Sequence, residues 1–315
     1  MSARSAARQG EGLRTSRGRT WLRRIGIALL VLAALAAAGL FAGNHLATQK
    51  MQRRIDIQVQ PVAYRDDAAA IERGRYLFAS RGCVDCHGAQ GSGNMFLDDG
   101  KGMRIAGPNI SPGPGNVVKD YQPADWVRTI RHGIDPKGRP LMIMPSEDYN
   151  RFTDEDLAAL VAYIRHMAPA QGGGPIIDLP LPVRAMYGFG LIHDAAARID
   201  HARPPEKPVP DGVTVQHGAY VANMCIGCHG VGLAGGKVPG GPPDWPAAAN
   251  LTPGEGTAME RYPDAKSFAA MFKTGKRPDG HAIKVMPFGS LKNMSDTDVR
   301  ALHLYLKTLK PLPKG

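Results

Sequence analysis

The sequence predicts a tandem of two small helical domains behind one apolar segment, and three observations lead there. Residues 25–43 (IGIALLVLAALAAAGLFAG) carry no charge. The word Cys-x-x-Cys-His occurs twice, as CVDCH at 83–87 and as CIGCH at 225–229. The stretches after these words repeat one another at an offset of 142 positions, and each closes on a capped helical pattern.

A chain of 315 residues that is 43% hydrophobic holds apolar material for about two domains, which rules out disorder throughout. With 38 Gly and 26 Pro, about a fifth of the chain, those domains are rich in loops.

The first element is a basic arm, residues 1–24, in which Arg4, Arg8, Arg14, Arg17, Arg19, Arg23 and Arg24 outweigh Glu11 for a net +6. The apolar run 25–43 then reads as a transmembrane anchor. By the positive-inside rule its N-terminal side faces the cytoplasm, and everything after about residue 45, from the 44–69 linker on, lies on the extracytoplasmic side of the inner membrane. A cleaved secretory signal is the rival, since Ala36 and Ala38 permit a cut, but the run nearly reaches the ~20 residues that span a bilayer. An organellar transit peptide fits less well, because the apolar core is unbroken. Of the total charge of +11, the arm accounts for all but +5, and no basic stripe interleaved with aromatics appears. Nucleic acid is therefore not an expected partner.

The four cysteines all sit in the two repeated words. Two disulfides would leave His87 and His229 unexplained, and one zinc ion would have to gather pairs 142 residues apart. A thioredoxin-like motif requires no histidine and no second copy. Two covalently bound haem c groups account for all six residues: Cys83 and Cys86, and Cys225 and Cys228, each add to the vinyls of one porphyrin, and His87 and His229 face the irons.

The repeat aligns Gly133 with Gly275, Pro136 with Pro278, Gly138 with Gly280 and Trp126 with Phe268. Thr153-Asp154-Glu155-Asp156 matches Ser295-Asp296-Thr297-Asp298, an N-cap followed by acids, before helices with apolar faces at Leu157, Leu160, Val161, Ile164 and at Val299, Leu302, Tyr305, Leu306. Tyr163 pairs with Tyr305. Upstream of the two words, Gly74 with Tyr76 and Gly218 with Tyr220 read as core packing. Between Met142 and Met144 the repeat decides: Met142 aligns with Lys284, whereas Met144 and Met286 are each followed by proline and lie 57 residues past their histidine. Met144 and Met286 are the expected sixth ligands. Met95, Met103, Met167, Met224, Met271 and Met294 have no matched partner and read as packing, and His132, His166, His281 and His303 do not repeat.

On these motifs the chain resembles, over about residues 70–312, the membrane-anchored di-haem cytochromes c built from two class I type domains. The word between haem and methionine appears as GPNIS at 107–111 and as AANLT at 248–252, where the second copy lacks the Gly-Pro. The resemblance implies that Asn109, Ser111, Asn250 and Thr252 lie near the haem propionates. It also implies an all-α fold, with cytochrome c domains at 70–169 and 216–312 joined by the Pro/Gly-rich connection 170–215. Part of that connection, VRAMYGFGLIHDAAARIDHA, is expected as a helix packed on either domain.

A haem with His and Met on its two faces keeps no open position, so the expectation is single-electron transfer with no catalytic residue. The pattern is similar to cytochrome subunits of membrane-associated alcohol, aldehyde or sugar dehydrogenases, some of which carry three haems against two here. The expected partners are therefore a dehydrogenase, a quinol-oxidising complex or a terminal oxidase. The alternative is a di-haem peroxidase, in which one iron would lose its sixth ligand to reduce hydrogen peroxide.

Overall fold

The computed structural model describes residues 3–242, 244–313 and 315, with side chains from residue 20 onward. The arginines of the basic arm that precede residue 20 lie outside the described side chains. In chain order the elements are α1 (Ala3–Gln52), α2 (Ala68–Ser80), α3 (Cys83–His87), β1 (Asn94–Asp98), β2 (Arg104–Gly107), α4 (Pro123–His132), α5 (Ser146–Tyr149), α6 (Asp154–Arg165), β3 (Ile176–Asp178), α7 (Leu181–Gly188), α8 (Val215–Ala222), α9 (Ile226–His229), α10 (Ala265–Thr274), α11 (Phe288–Leu291) and α12 (Asp296–Thr308).

The chain divides into two compact units. One holds α1 through Lys50 together with Leu181–Leu191. Within it α1 runs on past Gly43, so the helix takes in the start of the expected 44–69 linker. A span of 33 residues, Thr20–Gln52, is long and apolar enough to cross a membrane. α7 belongs to this unit and seats on α1. Small residues allow the approach: a Cβ on Gly188 would lie 2.0 Å from the Gly43 carbonyl oxygen.

The other unit comprises Met51–Pro180 and Ile192–Gly315, and contains both repeats. In each repeat the first helix crosses the last at a glycine. A Cβ on Gly74 of α2 would stand 1.9 Å from the Ala159 carbonyl oxygen of α6, and one on Gly218 of α8 would stand 2.0 Å from that of Ala301 in α12. The glycines let backbone meet backbone, which fixes where the helix pairs cross. Thr153 and Ser295 cap α6 and α12 as the sequence predicts, accepting from the Asp156 and Asp298 amides. Gly133 and Gly275 end α4 and α10 with φ of 65° and 68°, a left-handed conformation that favours glycine.

Two apolar clusters form the cores. Leu77, Phe78, Trp126, Leu157, Leu160 and Val161 centre the first, and Met259, Phe268, Phe272, Val299, Leu302 and Leu306 the second. Val62 is buried in the first cluster, so the stretch before α2 is part of that domain. The first repeat also carries a small antiparallel sheet of order β1-β2-β3, which the all-helical expectation did not include; its third strand comes from the connection after residue 169. In the second repeat the corresponding loop makes a single bridge, Gly236 to Ala248. Its prolines, Pro239, Pro242 and Pro246, bring no N–H to a ladder.

Within this unit the two repeats grip each other reciprocally. The Tyr76 hydroxyl donates to Asp298 at 2.5 Å, and the Tyr220 hydroxyl donates to Asp156 at 2.7 Å. Each tyrosine oxygen also accepts a backbone N–H from the opposite cap, from Ser295 at 3.0 Å and from Thr153 at 3.3 Å. Each aspartate is held from its own repeat as well, Asp156 by both branches of Arg73 at 2.8 and 3.0 Å, Asp298 by His217 Nε2 at 2.7 Å. One feature breaks the symmetry. Arg81, 4% exposed, donates to Asp298 at 2.5 Å, whereas the aligned position in the second repeat is Asn223. Burial alone would raise the Asp298 carboxyl; the Arg81 guanidinium and the donors from Tyr76 and His217 outweigh it and hold it at about 2.

Candidate functional site

Both Cys-x-x-Cys-His words fold as one short helical turn followed by a glycine. Gly88 and Gly230 have φ of 72° and 76°, and turn the chain away just after the histidine. Each turn therefore presents two thiols three positions apart and an imidazole directly after the second. The four cysteines are unpaired. Burial pushes the thiols of Cys83 and Cys225 up to about 12 and those of Cys86 and Cys228 up to about 11, so all four stand as neutral thiols.

The two histidines are oriented identically by main-chain acceptors. His87 Nδ1 lies 2.9 Å from the Pro108 carbonyl, and His229 Nδ1 lies 2.8 Å from that of Ala249. A carbonyl oxygen only accepts, so the proton sits on Nδ1 and the Nε2 lone pair is free to ligate. Burial lowers both imidazoles, which favours this neutral form. The missing Gly-Pro of the second copy is thereby accounted for, because the contact needs a carbonyl at that position and not a particular side chain.

Met144 and Met286 border the same clusters as the two Cys-x-x-Cys-His words: Cys83, Val84 and Met144 pack on the first, Cys225, Ile226 and Met286 on the second. The proline after each methionine has a structural reason. Pro145 (φ −80°, ψ 63°) and Pro287 (φ −78°, ψ 67°) sit at the centre of inverse γ-turns, closed by Ser146 N to Met144 O at 2.8 Å and by Phe288 N to Met286 O at 2.9 Å. The ring fixes φ where that turn needs it, so the two methionines leave the chain in the same way. Ahead of each, a Gly-containing loop closes on one bridge, Ile134 to Pro140 and Lys276 to Ala282.

The other four expected site residues are hydrogen-bonded within the protein. Asn109 Nδ2 donates to the Pro114 and Ala170 carbonyls, and its Oδ1 accepts from the Ser111 amide and hydroxyl. Asn250 Nδ2 donates to Leu312 O, and Asn250 Oδ1 accepts from the Thr252 amide and hydroxyl. All four are buried. Their polar atoms latch each loop to the chain that follows the closing helix, the loop that carries the histidine's acceptor.

Several contributors were hidden from sequence reasoning. The Trp126 Nε1 donor is buried and has no protein partner among the described residues, and Phe268 replaces it in the second repeat. A haem carboxylate is an acceptor that such a donor fits, so the residues present accommodate the group. The attachment turns are also met from across the repeat boundary: Gly227 N donates to Asp148 of α5 at 2.6 Å, and Asp85 of α3 packs on Gly289 of α11, where a Cβ would stand 2.5 Å from its Oδ1. Burial raises both carboxyls, that of Asp148 well above its usual range. Of the histidines set aside, His303 Nε2 bonds Tyr262 O, His166 Nδ1 bonds Ala162 O, and His132 pairs with His201.

Comparison with known proteins defines the class first. Residues 69–164 match the family described as "Cytochrome C oxidase, cbb3-type, subunit III", and residues 216–310 match "Cytochrome c". The chain thus carries two cytochrome c domains in tandem, one in each repeat. It is similar to the fructose dehydrogenase cytochrome subunit of Gluconobacter japonicus, 28% identical over 88% of this chain and 58% of that one. The quinone-dependent alcohol dehydrogenase cytochrome c subunit of Gluconobacter oxydans is 28% identical over 79% and 56%, and the gluconate 2-dehydrogenase cytochrome c subunit of Pantoea cypripedii 27% over 76% and 60%. The chain thus spans less than two thirds of the length of these relatives. They are cytochrome subunits, and the peroxidase alternative finds no support among them.

Proposed function

We propose that this chain is a membrane-tethered di-haem cytochrome c that passes single electrons from a dehydrogenase to a downstream acceptor, with its haem domains on the periplasmic side of the inner membrane. Each haem, when bound, supplies a one-electron Fe(III)/Fe(II) couple. The observation that carries the reading is the duplicated site: in both repeats a histidine is fixed through Nδ1 by a main-chain carbonyl, and a Met-Pro inverse γ-turn borders the same apolar cluster.

In this reading Cys83 and Cys86, and Cys225 and Cys228, hold the two groups covalently. His87 with Met144 and His229 with Met286 ligate the irons, and Met ligation raises the reduction potential. The carbonyls of Pro108 and Ala249 keep the imidazoles in one tautomer, and the buried side chains exclude water, so the protein rearranges little as charge arrives and leaves. The names of the relatives supply the donor class: a dehydrogenase of a sugar, an alcohol or a sugar acid. A quinol-oxidising complex or a terminal oxidase remains a partner of the same electron-transfer chemistry.

The test is extraction of the native protein in mild detergent, affinity purification, mass spectrometry of what accompanies it, and dye-linked dehydrogenase assays with fructose, ethanol and gluconate. A co-purifying dehydrogenase whose substrate reduces both haems is the expected result. Recovery of the cytochrome alone, or with an oxidase and no dehydrogenase, overturns the dehydrogenase assignment.

A further inference from the structure

We propose that the outer face of α7 and the turn after it lie in the lipid border beside α1, so that the protein holds the bilayer at two places. The proposal rests on α1 being a retained membrane anchor.

Between Asp178 and Asp194 the only charged side chain is that of Arg184, and it is turned inward to α1. Its Nε donates to Asn44 Oδ1 at 2.5 Å, and a terminal nitrogen donates to the Thr48 hydroxyl at 3.0 Å. The inner face of α7 is small: Ala185 lies against Gly43, Gly188 covers Gly43 and Ala47, and Ala47 is fully buried. The outward side chains are large and apolar, with Met186 41% exposed, Phe189 54% and Leu191 71%. In water such a group of exposed apolar side chains at one end of a short helix is unfavourable.

The height of these residues along α1 says what covers them. Gly43 is the last residue of the uncharged run, and a Cβ there would stand 2.8 Å from the Phe189 ring. Phe41, two residues before Gly43 and so at nearly the same level, is 75% exposed. Lys50, about 10 Å further along the helix at ~1.5 Å per residue, donates to the Tyr187 carbonyl at 3.1 Å. An ammonium at that height and aromatic rings below it are the arrangement of a membrane–water border. The apolar face of α7 is thus continuous with the lipid-facing surface of the anchor, and lipid acyl chains are the occupant whose chemistry fits both.

Single cysteines serve as probes, because the four native ones are taken up by haem. Spin labels at Phe189→Cys, Leu35→Cys and Lys237→Cys are placed in the full-length holoprotein, reconstituted in nanodiscs of phosphatidylcholine and phosphatidylglycerol. Power saturation with oxygen against a water-soluble nickel chelate then reads depth, and the ratio of the two cancels relaxation by the haem iron. The expected result is oxygen-dominated relaxation at 189, shallower than at 35 and opposite to 237. If 35 reads as hydrocarbon and 189 as water, or as shielded from both agents by a second copy, the α7 proposal falls alone. If 35 itself reads as water, the anchor falls and the α7 proposal falls with it.

Discussion

The hydroxyl of Tyr76, in the first helix of one cytochrome c domain, donates to Asp298, in the last helix of the other, at 2.5 Å. Tyr220 repeats the contact in the opposite direction on Asp156. Each aspartate thus joins its own helix pair and the neighbouring domain at one point.

Removing the tyrosine oxygens tests this. Tyr76→Phe and Tyr220→Phe each delete a hydrogen bond to a carboxylate, an interaction of about 1.5–3 kcal/mol. Guanidinium unfolding of the holoprotein, followed by circular dichroism, is expected to show a lower midpoint for each variant. A double variant no less stable than wild type would mean the reciprocal contacts contribute nothing.

The Asp298 carboxyl gives the pH dependence. Its folded value is held at about 2, against an ordinary value near ~3.9, so its contribution is complete above that ordinary value and is lost as pH falls from about 4 towards about 2. Asp298→Asn is expected to flatten that acid limb. At neutral pH it should cost about 3–5 kcal/mol, because Arg81 is left buried without its counter-ion. Thermal melts of both proteins across this window check it, and equal acid limbs would contradict the assignment.

The methionines predict a spectroscopic split. Met144→Ala and Met286→Ala each open one iron while leaving the other haem as it was. Carbon monoxide should then bind half of the ferrous haem, and one of the two reduction potentials should fall, since thioether ligation raises it. Wild-type protein that binds carbon monoxide as readily as the variants would remove both residues from the ligand set.

The helix crossings leave little tolerance. Gly74→Ala places a methyl 1.9 Å from a backbone oxygen that has no room to move, and α2 and α6 must separate. Overpacking of a core by one methyl costs typically 1–3 kcal/mol, and here the neighbour is main chain rather than a flexible tip. The expected outcome is an unfolding free energy lowered by at least that amount, read as a lower midpoint, with Gly218→Ala equivalent in the second domain. An unchanged midpoint would mean the helices do not cross at the glycine.

What the sequence revealed and what it concealed divide along a physical line. The two Cys-x-x-Cys-His turns, the caps at Thr153 and Ser295 and the glycines ending α4 and α10 were legible, because each depends on residue type at fixed local spacing. Tyr76 and Tyr220 were read as core packing, although their rings meet the cores only in part and their hydroxyls cross to the other domain. Nothing local marks a partner that lies 222 positions away. Asn109 and Asn250 were singled out by resemblance alone, and their bonds to Ala170 and Leu312, chain segments without any motif of their own, carry no local signal. The anchoring of α7 on α1 was equally invisible, since its signal is a handful of small residues whose meaning depends on what lies opposite.

The acceptors that fix His87 and His229 are main-chain carbonyls, and every residue brings one. A copy of the domain can therefore change Pro to Ala at that position and lose no function there, as the pair Pro108 and Ala249 illustrates. Substitution alone cannot remove such an acceptor; only a change in the path of the loop can. The Asn–Ser and Asn–Thr latches hold that path, so in each domain the orientation of the histidine rests on two short polar side chains, an Asn with a Ser or a Thr.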